Sequence, residues 1–238
     1  MHTRKSDAWY WLTITAGCTM GETMGDFLSH GPMQLGYGLS SLLLSVLVVA
    51  ALIIERAAKA RSDVRYWTTI VVMSTAGTTM ADFVSRTLHF GYQWSSLLMI
   101  VLFAAVFTAW KRSGPPPAEK AAMPATDARY WAAIMVASTA GTTFGDALSN
   151  GTAIGFGGGA AVLVALLLAV LFWEHHAARR SEARYWAALM IASTIGATSG
   201  DFLTKDEGLG LGYFKGTALL ILVFVVILAA ARRQVQRA

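Results

Sequence analysis

The stretch YWAAIMVASTAGTTFGDALS, residues 130–149, decides how this chain folds, because it returns in four near-copies. The others are YWLTITAGCTMGETMGDFLS over 10–29, YWTTIVVMSTAGTTMADFVS over 66–85 and YWAALMIASTIGATSGDFLT over 185–204. Each places one Asp 15 positions after a Trp, so Asp26, Asp82, Asp146 and Asp201 follow Trp11, Trp67, Trp131 and Trp186. A carboxylate at the centre of a membrane helix costs about 2.5–3.5 kcal/mol on insertion scales. A chain that keeps four of them either pairs them or uses them.

Working outward, each copy is followed by a run almost free of charge: Leu39 to Ile54, Ser95 to Trp110, Ala160 to Trp173 and Gly216 to Ala231. With their flanks these reach the ~20 residues that span ~30 Å of hydrocarbon. Of the 238 residues, 55% are hydrophobic and 14% charged, the composition of a polytopic membrane protein. The pattern predicts an all-α fold of eight transmembrane helices, over residues 8–29, 36–56, 65–88, 91–111, 128–149, 154–174, 183–204 and 209–232. They form one membrane domain, 1–238, with repeats 1–56, 57–112, 121–177 and 178–238 and a Pro- and Ala-rich linker over 113–126. Every unit holds an even number of helices, so the four units run parallel across the bilayer.

Lys and Arg collect at alternate helix ends, which predicts that those ends and both termini are cytoplasmic. They include Arg4, Lys5, Arg56, Lys59, Arg61, Arg65, Lys111, Arg112, Lys120, Arg129, Arg179, Arg180, Arg184, Arg232, Arg233 and Arg237. The opposite loops carry only Arg86, Lys205 and Lys215. The net charge of +5 is thus spread over short juxtamembrane segments and forms no nucleic-acid-binding face. Ser6-Asp7, Ser62-Asp63, Thr126-Asp127 and Ser181-Glu182 offer helix caps just before each Tyr-Trp pair. The Tyr-Trp pairs, with Trp110 and Trp173, read as an inner aromatic belt at the membrane surface. The first helix has a basic start like a signal peptide but lacks a small-residue cleavage site, so it is expected to stay. The single Cys18 offers no internal disulfide.

Two stripes run along each odd helix. One is small: Gly21, Gly25, Gly77, Gly141, Gly145, Gly196 and Gly200, with Ala81 completing the set, have the small-xxx-small spacing of touching helices. The alternative is that these glycines let the helix unwind near the Asp. The other stripe holds the Asp and a row of hydroxyls, among them Thr23, Thr79, Thr143 and Thr198 three residues before it. Facing one another, the four stripes make an acidic, oxygen-lined cavity open toward the outer side. Copy one departs with Glu22 in place of a Thr, and copy four with Ala197. Arg86 and Lys205, four residues after their Asp, are placed for i,i+4 ion pairs, which leaves Asp26 and Asp146, flanked by His30 and Asn150, as the freer acids.

The fourfold unit YW...STxGTTxGDxLS resembles a bacterial membrane-protein family built from four copies of a two-helix repeat whose function is unknown. The likeness covers nearly the whole chain and implies architecture and a multi-pass place in the bacterial inner membrane, not an activity. Cys18, Glu22, Ala197 and Ala81 depart from the repeat and set the four sites apart.

No Ser-His-Asp grouping, phosphate loop or repeated His is present, so no enzyme and no organic cofactor is expected. The chemistry favours a transporter or permeation path for a small hard cation, a divalent ion of the Mn, Mg or Ca kind, with proton coupling. Its ligands would be Asp26, Asp82, Asp146, Asp201, Glu22, Thr23, Thr79, Thr143 and Thr198. The competing reading is a membrane scaffold whose stripes only knit helices together. The partners expected are the lipid bilayer and the cation, and a homo-oligomer is compatible with the sequence.

Overall fold

A computed structural model describes residues 7–58, 62–112, 126–177 and 181–237. The expected linker lies outside them up to residue 125, as do Arg4, Lys5, Lys59, Arg61, Lys120, Arg179 and Arg180 of the charge pattern. Among the described residues the chain is all helix: α1 (Ala8–Ser29), α2 (Gly36–Ala57), α3 (Asp63–Asp82), α4 (Gly91–Arg112), α5 (Ala128–Gly151), α6 (Gly155–His176), α7 (Glu182–Thr204) and α8 (Gly212–Arg237). These bounds fall within a few residues of those expected. The exception is the end of α3, where Phe83–Thr87 widens into a π-turn directly after Asp82, a distortion often found at functional positions.

The odd helices start where the caps were expected, with Asp7 and Asp127 accepting from the Tyr10 and Tyr130 amides at 2.9 Å. At the other end each even helix begins on a glycine with positive φ, Gly36, Gly91, Gly155 or Gly212. Glycine adopts that backbone with least strain, so the same residue type opens every even helix although the loops before it differ in length.

The odd helices form a central ring, α1 against α3, α3 against α5, α5 against α7 and α7 against α1. The even helices lie outside it, displaced by one unit: α2 packs on α3, α4 on α5, α6 on α7, and α8 closes the circle on α1. No unit therefore buries its own apolar face alone, which ties the four repeats into one body. Helices α2, α4, α6 and α8 are long and apolar enough to cross a membrane, and they expose Leu42, Val46, Ile53, Val101, Leu168, Phe172, Leu222 and Val226 outward. The odd helices are enclosed and bury their hydroxyls and acids.

The aromatic belt requires correction. Tyr10, Trp11, Tyr66, Trp67, Tyr130, Trp131, Tyr185 and Trp186 are all buried in the core, not spread on the surface. Trp173 fits the expectation, being exposed with the Arg184 guanidinium over its ring, and the Trp110 side chain lies outside what the structure describes.

Candidate functional site

The central ring is closed at one end by tyrosines. The hydroxyl of Tyr10 lies 3.0 Å from that of Tyr66 and 2.7 Å from that of Tyr185, and Tyr130 completes the circle at 2.7 Å from Tyr66 and 3.0 Å from Tyr185. Each hydroxyl can donate once and accept once, so a cyclic tetrad satisfies four buried polar groups without water. Each tyrosine also meets its own Trp edge to face. One turn further on, Ile14, Ile70, Ile134 and Leu189 are buried as an apolar layer.

The glycine stripe does what its spacing predicted. A Cβ at Gly21, Gly77, Gly141 or Gly196 would lie 2.5–2.7 Å from the Cβ of Ser74, Ser138, Ser193 or Cys18 on the next odd helix. Gly25, Gly145 and Gly200 are similarly pressed against Thr78, Ala197 and Glu22. Close backbone approach all round the ring is why seven glycines recur there. The alternative, helix unwinding at these glycines, does not occur in α1, α5 or α7, which stay helical through them.

Above this layer the symmetry breaks. Glu22 reaches across the ring, where its Oε2 accepts hydrogen bonds from Thr78 at 2.8 Å and Thr142 at 2.7 Å. The fourth place in that layer is Ala197, whose missing hydroxyl leaves room for the longer acid. The two departures from the repeat are therefore one structural change. Glu22 takes no Arg or Lys within ion-pair distance among the described residues, so its pairing with Arg86 or Lys205 does not arise.

One turn on, Asp26, Asp82, Asp146 and Asp201 come together, each at most 4% exposed. Carboxylate oxygens of Glu22, Asp26 and Asp201 lie within 4.8 Å of one another, and those of Asp26 and Asp82 within the same distance of a His30 ring nitrogen. The two i,i+4 pairs form as expected, Arg86 Nε to Asp82 at 2.8 Å and Lys205 Nζ to Asp201 at 2.6 Å. His30 Nε2 is 3.8 Å from Asp26, and Asn150 donates to the backbone carbonyl of Asp146 instead of its carboxylate. Asp26 Oδ2 and Asp201 Oδ1 are buried with no hydrogen-bond partner among the described residues.

The cavity open toward the outer side is not what the structure holds. A second tier of aromatic residues shuts the acids in, one from the start of each even helix. Tyr37 and Tyr92 flank the Arg86 guanidinium, Phe156 lies under Lys205, and the Tyr213 hydroxyl sits 2.8 Å from His30 Nε2. Sequence reasoning missed this tier, although Gly-Tyr or Gly-Phe recurs nine to eleven residues after every Asp and was there to be seen. The four predicted Thr hydroxyls bond locally. Thr23, Thr79, Thr143 and Thr198 each donate to a carbonyl of their own helix, at 3.0–3.2 Å. The hydroxyls that reach an acid are instead Thr78 and Thr142.

Electrostatics in this enclosure are lopsided. Among the described residues five buried carboxylates face two permanent cations, Arg86 and Lys205. Burial, then the positive charges of Lys205 and Arg86, lower the His30 pKa to about 4, so it adds no charge near neutrality. Burial works against the Lys205 ammonium, yet Asp201, Asp26 and Asp146 outweigh it and hold its pKa above the ordinary lysine value. Formally three negative charges are left over in a medium that tolerates none uncompensated.

Searches of curated proteins and of solved structures return no match. The family description Repeat of Unknown Function (DUF347) matches four times, over residues 9–60, 65–115, 129–180 and 184–236. These spans take in each odd helix with its following even helix and cover most of the chain, so the protein belongs to the DUF347 repeat family.

Proposed function

We propose that the chain crosses the membrane eight times and serves as a transporter or permeation path for a hard cation, a divalent ion of the Mn, Mg or Ca class, with protons as the coupling ion. One observation carries this reading: among the described residues, five acids from four helices are buried together with two cations among them. Such an excess has to be offset by bound protons or by a bound cation, and oxygen-only donors favour a hard ion. Among the described residues Glu22, Asp26 and Asp201 form an all-carboxylate set whose oxygens lie within 4.8 Å of one another. Asp82 and Asp146 complete the negative wall.

The geometry supports an occluded resting state. The acids are covered by the aromatic tier on one side and by the Ile and Tyr layers on the other. Alternating access would open one cover at a time. Exchange of protons for the ion at Glu22 and Asp26 would link the two fluxes.

In proteoliposomes, Asp26→Asn and Asp146→Asn should each abolish divalent-cation flux while the protein still purifies as a folded species. Full flux in both variants rejects the reading. The scaffold alternative draws on the Asp82–Arg86 and Asp201–Lys205 pairs, which could merely fasten helices. It predicts that saturating divalent ions leave the melting temperature unchanged, whereas a bound ion at about 100 times its Kd adds about 2.7 kcal/mol.

A further inference from the structure

The position four residues after each Asp carries a different group in every copy: His30, Arg86, Asn150 and Lys205. We propose that Lys205 is a tethered counter-cation, which occupies the seat of the transported ion when that ion is absent and is displaced from Asp201 when it arrives. This rests on the cation-site reading above and adds to it a residue that sets affinity and exchange.

The two cationic copies are held differently. The Arg86 guanidinium is clamped by Asp82 at 2.8 Å and by two rings, Tyr37 at 5.8 Å and Tyr92 at 5.5 Å. Its partner Asp82 belongs to the mixed group with Asp26 and His30, not to the all-carboxylate group of Glu22, Asp26 and Asp201. Lys205 is bound to a member of that group, at 2.6 Å through Asp201 Oδ2, and rests on one ring only, Phe156 at 5.2 Å. Phe156 is also the one aromatic of its tier without a hydroxyl.

The unpartnered atoms point to the same place. Asp201 Oδ1 and Asp26 Oδ2 are buried and take no hydrogen bond, while the remaining Asp201 oxygen is the one that Lys205 covers. Two vacant oxygens and one oxygen occupied by an ammonium describe a cation seat filled at one ligand by a substitute. A lysine suits that task, being a point charge on a flexible stem, where an arginine fork would stay.

The ammonium also has somewhere to go. Lys205 is the first residue after α7 and has extended backbone, φ −83° and ψ 153°. The loop it opens carries the exposed acids Asp206 and Glu207. Rotation of the stem would carry the ammonium from the buried Asp201 to these solvated neighbours while the helix stays in place.

The test uses the full-length protein in detergent with manganese(II) as probe. Amine-reactive labelling of Lys205, read by peptide mass spectrometry, should rise at least about threefold when manganese saturates the wild-type protein, and labelling of Lys215 should not change. Lys205→Met should tighten manganese binding by about tenfold or more, while Arg86→Met, which removes an equal charge, should change it less than about threefold. Manganese binding with no change in Lys205 labelling overturns the tether and leaves the cation site standing. Equal gains in the two variants also overturn it, because they reflect only the field of a lost charge. No manganese binding by the wild type or by Lys205→Met removes the cation site itself, and the tether with it.

Discussion

Replacing Tyr66 by Phe deletes one hydroxyl from the cyclic tetrad and breaks two bonds, the 3.0 Å contact to Tyr10 and the 2.7 Å contact to Tyr130. A net hydrogen bond contributes about 1 kcal/mol, and a buried donor left without an acceptor costs about 1–3 kcal/mol. The three remaining hydroxyls form an open chain with one unsatisfied O–H, so the expected loss is about 2–3 kcal/mol. Tyr66 has no exposed surface through which water could repair it. In a helical domain of this size the melting temperature should fall by about 5–10 °C. Removing all four hydroxyls has a different outcome, because no donor is then left stranded. The quadruple variant Tyr10→Phe, Tyr66→Phe, Tyr130→Phe, Tyr185→Phe should lose far less than four times the single loss, since swapping all partners for apolar groups of the same shape is close to neutral. Thermal unfolding of the purified protein in detergent measures both. A Tyr66→Phe protein as stable as wild type, or a quadruple variant that loses the sum of four single losses, refutes the cyclic network.

Three further outcomes follow from the same geometry. Gly141→Ala would place a Cβ 2.5 Å from that of Ser193 and should cost about 1–3 kcal/mol by overpacking, whereas Gly151→Ala, with nothing within 4 Å of the new carbon, should melt like wild type. The double change Glu22→Thr with Ala197→Thr restores a four-threonine layer; it should fold at least as well as wild type and lose divalent-ion binding, measured by calorimetry. His30 has a folded pKa near 4 against an ordinary 6.5. The unfolded chain then binds the extra proton first as pH falls between those values, so stability should decline on acidification across that window and be unaffected by this residue above it. Melting curves from pH 7.5 to 4 for wild type and His30→Gln should diverge only there, with the wild type losing more.

The sequence specified the helices to within a few residues, the end of α3 apart, because each signal was local. Charge-free runs and Ser and Asp caps all act within a few residues of where they stand. The glycine stripe was legible for the same reason, since spacing alone says that Gly21 or Gly141 lets a neighbour approach. Inward or outward direction was not legible. A Tyr-Trp pair near a helix end has the same spacing whether it faces lipid headgroups or the centre of a ring, and only the closure of four copies on themselves brings the hydroxyls of Tyr10, Tyr66, Tyr130 and Tyr185 together. The Asp cluster was anticipated because four acids on parallel repeats must meet if the repeats close. Its cover was not anticipated. Tyr37, Tyr92, Phe156 and Tyr213 belong to even helices that pack on a neighbouring unit, and that one-unit displacement is a property of the assembled ring. Glu22 was identified as the odd acid, yet its reach to Thr78 and Thr142 depends on the space left by Ala197 three repeats further along the chain.

The proposed transport requires that a cation be held between Glu22, Asp26 and Asp201. Anomalous diffraction from crystals of the protein grown with manganese(II) tests this most directly. A manganese peak within coordination distance of these three carboxylates, lost in Asp26→Asn crystals, is the expected result. Well-ordered crystals at saturating manganese with no peak among the buried acids would contradict it.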